Sequence, residues 1–134
     1  MTYSSTLKVG LTGQATVTVT DNLTAAALGS GNVDVYSTPA MIALLEAAAI
    51  NALDGHLDEG QTSVGTGLDV KHISATPVGM SVQAAATLRE VDGRRLVFEV
   101  SVSDEVEQIG SGTHERFIVN RKRFEARVRD KQVK

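Results

Sequence analysis

The stretch that decides the fold is YSTPAMIALLEAAAINAL, residues 36–53, which predicts one helix. Thr38 is suited to the N-cap and Pro39 to the first helical position, where an amide hydrogen would have no partner within the helix. Ala, Leu, Ile and Met fill the interior and favour helix. Gly55 follows as a natural C-terminal stop.

The predicted helix is apolar on nearly every side. Between residues 40 and 53 its only polar side chains are Glu46 and Asn51. A helix of this kind is usually buried, so we expect the rest of the chain to enclose it. A carboxylate in the middle of a buried helix is costly, which makes Glu46 a candidate functional residue.

Alternation of apolar and polar residues predicts strands in the rest of the chain. The Asp-Gly pair at residues 92–93 is typical of a hairpin, so the last three strands form a meander. One buried helix with a mostly antiparallel sheet is an α+β fold, which we expect to form a single domain over residues 1–134. The predicted strands cover residues 7–20, 64–73, 80–90, 94–103 and about 106–120.

Composition excludes several classes of function. The formal net charge of −3 argues against a general nucleic-acid binder. The absence of cysteine removes disulfides, thiolate nucleophiles and cysteine-based zinc sites. The N-terminus lacks an apolar signal core, and no run approaches the roughly 18–20 apolar residues that span a bilayer. We expect a soluble, cytoplasmic protein with neither nucleic acid nor membrane as a partner.

Basic residues are concentrated at the C-terminal end. Residues 121–134 hold seven Lys or Arg and two acids, whereas the first 120 residues hold six bases and fourteen acids. One interpretation is a solvated basic tail or last strand. The other is an anion contact, such as one with a nucleotide phosphate.

His72 is the first candidate for a catalytic residue. It shares the parity of Val64, Thr66, Leu68 and Val70, so it is predicted to point to the apolar face of its strand. A lone inward histidine is more often structural. The carboxylate in the middle of the predicted helix favours a functional role for His72 instead. A nearby carboxylate stabilises the imidazolium form, and burial raises the pKa of a carboxyl group. We therefore expect the side chain at 46 to pair with His72.

Thr38 adds a hydroxyl at the head of the same helix. Eight residues separate it from Glu46, which corresponds to about 12 Å along the axis. Either the two side chains converge or one of them comes from a second subunit. As an N-cap alone, Thr38 needs no further role. The amides of Ala40 and Met41 are predicted to be free donors for an oxyanion.

The other histidines carry weaker signals. His56 follows the helix end, where a cation is favourable and usually structural. His114 lies on the opposite face of its strand from Thr113 and Phe117. No histidine pair has metal-ligand spacing with a carboxylate, so no metal is predicted. The glycine-rich residues 29–32 are interpreted as a flap before the helix and not as a phosphate loop.

Five segments resemble the fluoroacetyl-CoA thioesterase family of the hotdog fold. The likeness covers most of the chain from about residue 36 to 130. HISATP and GSGTHER are its most specific motifs. The segments are MIALLE (41–46), VGTG (64–67), VKHISATPVG (70–79), EVDGRRL (90–96) and EQIGSGTHER (107–116).

The resemblance implies a function and a site. A hotdog thioesterase of this family hydrolyses a small acyl-CoA thioester to the free acid and CoA. It does so without a cofactor, as a homodimer or higher oligomer with active sites between subunits. At matching positions the catalytic residues are Thr38, Glu46 and His72. Gly65 would bind substrate through its amide, and Arg116 would lie near the acyl-CoA.

The chain departs from the family at one place. The fluoroacetyl enzyme has phenylalanines in the lid before the helix, and residues 28–35 here contain none. We therefore expect thioesterase chemistry without fluoroacetyl specificity. The alternatives are a hotdog protein that binds acyl-CoA without hydrolysis, an enoyl-CoA hydratase-like enzyme, and a structural dimerisation module. Hydratases of this fold usually carry an Asp–His pair on a loop after the helix, and no convincing pair is present.

Overall fold

Five antiparallel strands form one sheet in the computed structural model, which describes residues 6–132. The sheet order is β1-β3-β4-β5-β2, so β1 and β2 are its edges. The predicted α+β class is confirmed. The strands are β1 Thr12–Thr18, β2 Gln61–His72, β3 Ser81–Asp92, β4 Arg95–Asp104 and β5 Gln108–Asn120; the helices are α1 Ala25–Leu28, α2 Thr38–Ala52 and α3 Arg121–Arg129, with short 3-10 turns at Asp21–Leu23 and Asp130–Gln132.

The predicted N-cap of α2 is wrong by one residue. Ser37 is the cap, and its Oγ accepts a hydrogen bond from the amide of Ala40 at 3.1 Å. Thr38 and Pro39 are the first two helical residues. Proline fits this position too, because amides of the first turn have no partner within the helix. Gly55, with φ of +79°, follows the helix end as predicted.

One side of α2 packs on one face of the sheet, mainly against β1 and β3. At Gly13 of β1 a Cβ atom would lie 2.2 Å from the carbonyl oxygen of Ala48, so the strand can approach the helix this closely only with glycine. The opposite side of α2 is less covered, since Ile50 is 51% exposed. The buried side consists of Met41, Leu44, Leu45, Ala48, Ala49 and Ala52.

The meander follows the predicted alternation. The inward residues of β3 and β4 alternate along each strand, are buried, and contact the same core as α2. These residues are Val82, Ala84, Ala86, Leu88, Leu96, Phe98, Val100 and Val102. The basic C-terminal residues were predicted to form a tail or a last strand. They form the helix α3, which is exposed along its whole length. Lys134 lies outside the described residues. Within residues 6–132 no helix is long and apolar enough to cross a bilayer.

A β-bulge interrupts β2 and changes which residues face α2. The register with β5 shifts between Gly65 and Gly67, with Thr66 as the extra residue. Leu68, Val70 and His72 face inward as predicted, but the predicted inward direction of Val64 and Thr66 is wrong. Gly65 takes the inward position opposite Arg116.

Candidate active site

Thr38 and His72 form a hydrogen-bonded pair where α2 begins and β2 ends. The Oγ1 atom of Thr38 lies 2.8 Å from Nδ1 of His72. Because Ser37 provides the cap, the Thr38 hydroxyl is available for this contact. The ring of Tyr36 meets the imidazole edge-on at a centroid distance of 6.5 Å. The pair borders a cavity of about 280 Å³, whose wall also contains Ser30 and Ser74.

Burial lowers the pKa of His72 below its ordinary value, and the main chain of Ser74 offsets part of this effect. The imidazole is therefore neutral at pH 7, and a neutral ring can accept a proton. Its Nε2 atom is buried and has no hydrogen-bond partner in the described part of the chain. Nδ1 thus contacts the Thr38 hydroxyl, whereas Nε2 is enclosed without a partner.

The predicted contact between Glu46 and His72 is not found within residues 6–132. Oε2 of Glu46 instead lies 3.4 Å from Nη1 of Arg116. Arg116 is only 4% exposed. Ser63 holds it in place, because Arg116 donates from Nε to the Ser63 hydroxyl at 2.8 Å and from Nη2 to the Ser63 carbonyl at 3.0 Å.

Gly65 provides the space that the Glu46 carboxylate occupies. A Cβ atom at position 65 would lie 2.6 Å from Oε2 of Glu46, which is closer than such atoms can approach. The β-bulge in β2 turns this glycine toward α2. Gly65, Arg116 and Glu46 therefore lie together in the structure, a grouping that the sequence did not indicate.

His114 is part of this cluster and was underestimated from the sequence. It is 1% exposed, and its Nδ1 lies 2.9 Å from the carbonyl oxygen of Gly67. A carbonyl can only accept, so Nδ1 carries the hydrogen and Nε2 accepts from Nη1 of Arg116 at 3.1 Å. Burial is the largest cause that lowers the pKa of His114. The sequence could have indicated its burial, because His114 and the buried Ile118 are four residues apart on β5 and therefore point to the same face of the sheet.

The helix start does not provide the predicted oxyanion donors. The amide of Ala40 donates to the Ser37 hydroxyl, and the amide of Met41 donates to the Ser37 carbonyl at 3.0 Å. Both amides therefore donate to Ser37 and are not free to bind an oxyanion. Of the predicted oxyanion donors, only the amide of Gly65 remains as a candidate.

A single chain thus holds two clusters rather than one. Thr38 and His72 form the first, and Glu46 with Gly65, His114 and Arg116 forms the second. The eight helical residues between Thr38 and Glu46 correspond to about 12 Å. Among residues 6–132 no three His, Cys, Asp or Glu side chains lie close enough together to hold a metal ion.

Comparisons with known proteins identify the family of this chain. The fluoroacetyl-CoA-specific thioesterase family model matches residues 19–122. The fluoroacetyl-CoA thioesterase of Streptantibioticus cattleyicolor is 45% identical over 98 residues, which cover 73% of this chain and 70% of that protein.

Solved structures give the same result. A structure of the fluoroacetyl-CoA thioesterase FlK matches with a TM-score of 0.87 and 37% identity, and covers 93% of this chain and 97% of that one. A hot-dog-like protein from Thermanaerovibrio acidaminovorans matches with a TM-score of 0.85 and 25% identity, and covers 96% and 95%. The predicted hotdog fold is confirmed. The chain therefore belongs to the fluoroacetyl-CoA-specific thioesterase family.

Proposed function

We propose that this chain hydrolyses a small acyl-CoA thioester to the free acid and CoA, with Thr38, His72 and Glu46 as its catalytic residues. Family membership supports the thioester hydrolase class, and the named relative acts on a small acyl-CoA. The observation that supports the residues most strongly is the 2.8 Å contact between Thr38 Oγ1 and His72 Nδ1 beside a cavity.

The Thr38–His72 pair supports general-base catalysis. A neutral imidazole can take the proton of the Thr38 hydroxyl, or of a water held by that hydroxyl, as the oxygen attacks the thioester carbonyl. The protonated ring then returns a proton to the departing CoA sulfur. On the route through Thr38 this leaves an acyl-threonine ester, which water activated by the same imidazole cleaves to the free acid and the restored hydroxyl. Gly65 is the proposed amide donor to the oxyanion, and Arg116 orients the Glu46 carboxylate.

We further propose a homodimer in which the two clusters come from different subunits. Strand β2 is an edge of the sheet, and it is twelve residues long. An edge strand can pair with a second copy. When two β2 strands pair antiparallel, the His72 end of one strand lies near the Gly65 end of the other. The Thr38–His72 pair of one subunit thereby approaches the Glu46 cluster of its partner, although the two clusters of a single chain are separated along α2. The absence of cysteine supports a reducing compartment such as the cytoplasm.

The acyl group is proposed to be short but not fluoroacetyl. Residues 28–35, which precede α2, contain no phenylalanine. Ser30 and Val35 from this segment line the cavity beside the Thr38–His72 pair. A fluorinated acyl group would therefore lack the phenylalanine contacts that the resemblance implies for it.

The test is steady-state hydrolysis of a panel of short acyl-CoAs, measured by release of the CoA thiol. The wild type is expected to release CoA, and His72→Ala and Glu46→Ala are each expected to lower kcat by about a hundredfold or more. If the wild type releases no CoA from any chain length, the proposal is wrong. Calorimetric binding of an acyl-CoA without thiol release would support a non-hydrolytic binding protein instead.

A further inference from the structure

Two cavities meet at one side chain, the ring of Tyr36. The first, which we call the catalytic cavity, is the space of about 280 Å³ beside Thr38 and His72. The second, which we call the apolar cavity, encloses about 230 Å³ between β1, α2 and the 3-10 turn at Asp21–Leu23. Among the described residues Tyr36 alone lines both, so it separates one cavity from the other.

The two cavities differ in chemistry. Hydroxyl groups and an imidazole border the catalytic cavity, where the proposed reaction takes place. Apolar surface that enters the apolar cavity leaves water without meeting a polar side chain other than the tyrosine, which favours an alkyl chain there. Apart from Tyr36, the residues that line the apolar cavity in the described part of the chain are all aliphatic: Val17, Leu23, Ala40, Ala43, Leu44 and Ala47.

Hydrogen bonds at both ends of Tyr36 hold it in place. The residue is 1% exposed, and its amide donates to the Thr76 carbonyl at 2.8 Å. Its hydroxyl donates to the carbonyl of Ala40, in the first turn of α2, at 3.2 Å. Burial raises the pKa of Tyr36 to about 12, so the hydroxyl keeps its proton at neutral pH. Moving the ring aside would leave a buried hydroxyl without a partner, which is unfavourable.

The ring of Tyr36 is also close to the reacting groups. Its centroid lies 6.5 Å from that of the His72 imidazole, and Nδ1 of the same imidazole lies 2.8 Å from Oγ1 of Thr38. A thioester carbonyl attacked at the Thr38 hydroxyl is therefore only a few bond lengths from the tyrosine. An acyl chain that extends from this carbonyl toward the core meets the ring after a few carbon atoms.

We propose that Tyr36 limits the length of the acyl chain by closing the catalytic cavity toward the apolar cavity, an inference that rests on the proposed thioesterase function. Short chains fit in front of the ring, whereas longer chains need the space behind it. The phenylalanines that the resemblance implies for the lid are absent from residues 28–35, so the limit on acyl size depends on a different aromatic residue.

The experiment measures kcat/KM for octanoyl-CoA relative to butyryl-CoA. The wild type should favour butyryl-CoA. In Tyr36→Val the octanoyl-to-butyryl ratio should rise about tenfold or more, because each methylene that enters an apolar cavity gains roughly a factor of four in binding. Tyr36→Phe is the matched control: it keeps the ring and removes only the hydroxyl, so the ratio should keep its wild-type value.

A leucine at position 47 tests whether the longer chain enters the apolar cavity. Ala47 lines that cavity from α2, so Ala47→Leu fills part of it without touching Tyr36. Combined with Tyr36→Val it should return the octanoyl-to-butyryl ratio toward the wild-type value. Alone it should leave the ratio unchanged, because in the wild type the acyl chain does not reach this cavity.

Two results would overturn the proposal. One is a wild type that hydrolyses octanoyl-CoA as efficiently as butyryl-CoA, which can be measured whether or not the variants fold. The other is a folded Tyr36→Val protein with the wild-type ratio.

Calorimetry with S-butyl-CoA and S-octyl-CoA, thioethers that cannot be hydrolysed, separates this proposal from the thioesterase function. Tyr36→Val should shift the affinity ratio toward the octyl compound by about tenfold or more. If the wild type hydrolyses no thioester but this shift is found, the thioesterase function fails and the role of Tyr36 stands. If the wild type hydrolyses butyryl-CoA and neither ratio shifts, only the role of Tyr36 fails.

Discussion

His114 accepts a hydrogen bond from Arg116 through Nε2 at 3.1 Å, while its Nδ1 donates to the main-chain carbonyl of Gly67. This geometry requires a neutral ring with the hydrogen on Nδ1. The same Nη1 atom of Arg116 lies 3.4 Å from Glu46, so the imidazole helps to fix where the guanidinium meets the carboxylate. His114 is thus a positioning residue for Glu46.

Two conservative replacements separate the contacts of His114. Glutamine can place an acceptor near the position of Nε2, whereas asparagine can place a donor near that of Nδ1. We expect His114→Gln to keep most of kcat and His114→Asn to lose about tenfold to a hundredfold, because only the former preserves the contact with Arg116. Steady-state kinetics check this. Equal kcat values for the two variants would contradict a positioning role.

The Thr38 hydroxyl is expected to act in chemistry and not in capping. Thr38→Val should lower kcat by about a hundredfold while the midpoint of thermal unfolding changes little, and Thr38→Ser should retain much of the activity. Ser37→Ala is the control, because it removes the observed cap and should cost about 1 kcal/mol of unfolding free energy with kcat largely kept. An active Thr38→Val protein would exclude the hydroxyl from the mechanism.

Gly65 is expected to control activity more than stability. An alanine there would displace Oε2 of Glu46, the far end of a flexible side chain, so the unfolding free energy should fall by no more than about 1 kcal/mol. The catalytic loss should be larger, about tenfold or more in kcat, because the carboxylate leaves its position.

Gly67→Ala is the matched control on the same strand. The nearest atom to a Cβ at position 67 would be 3.5 Å away, at Cβ of Glu115, which is an ordinary contact. Wild-type kcat is expected for this variant. Comparable losses at positions 65 and 67 would show that the effect comes from the strand and not from the carboxylate.

Stability should decline in mild acid because two histidines, the buried His114 and the half-buried His72, resist protonation. Burial lowers the pKa of His72 and of His114 in the folded protein, so below an unfolded value of about 6.5 the unfolded chain binds more protons. This contribution is complete above about pH 6.5 and is lost as the pH falls toward the folded pKa values.

Thermal unfolding between about pH 8 and pH 5 tests the expected dependence on these two groups. The midpoint of the wild type should fall below about pH 6.5, and the fall should be smaller in the double variant His72→Gln/His114→Gln. A wild-type midpoint that stays constant over this range would contradict the neutral state of the two rings.

Much of the fold was predictable because its patterns are local. The helix at residues 38–52, the meander and the Asp-Gly hairpin follow from capping, alternation and turn chemistry. The cap was misplaced because Ser37 and Thr38 are both suitable and Pro39 is tolerated in either of the first two helical positions. The choice depends on tertiary contacts, since Thr38 bonds to His72, which is distant in sequence.

The site was less predictable, because its geometry depends on strand pairing. Alternation alone cannot show a bulge, so the inward direction of Gly65 was missed. The expected pairing of Glu46 with His72 assumed that two inward ionisable groups would meet, although Arg116 and His114 lie nearer to the carboxylate. The roles of Thr38, Glu46 and His72 in catalysis stay predictions.

The acceptor that orients His114 belongs to the main chain. A carbonyl oxygen has no pKa in the range of protein chemistry, and it persists whichever residue occupies position 67. The tautomer of this imidazole is therefore encoded in the path of β2, where the bulge sets the register opposite β5. A single-residue deletion near Thr66 would thus disturb the proton placement in the Glu46 cluster more directly than any side-chain replacement at Gly67.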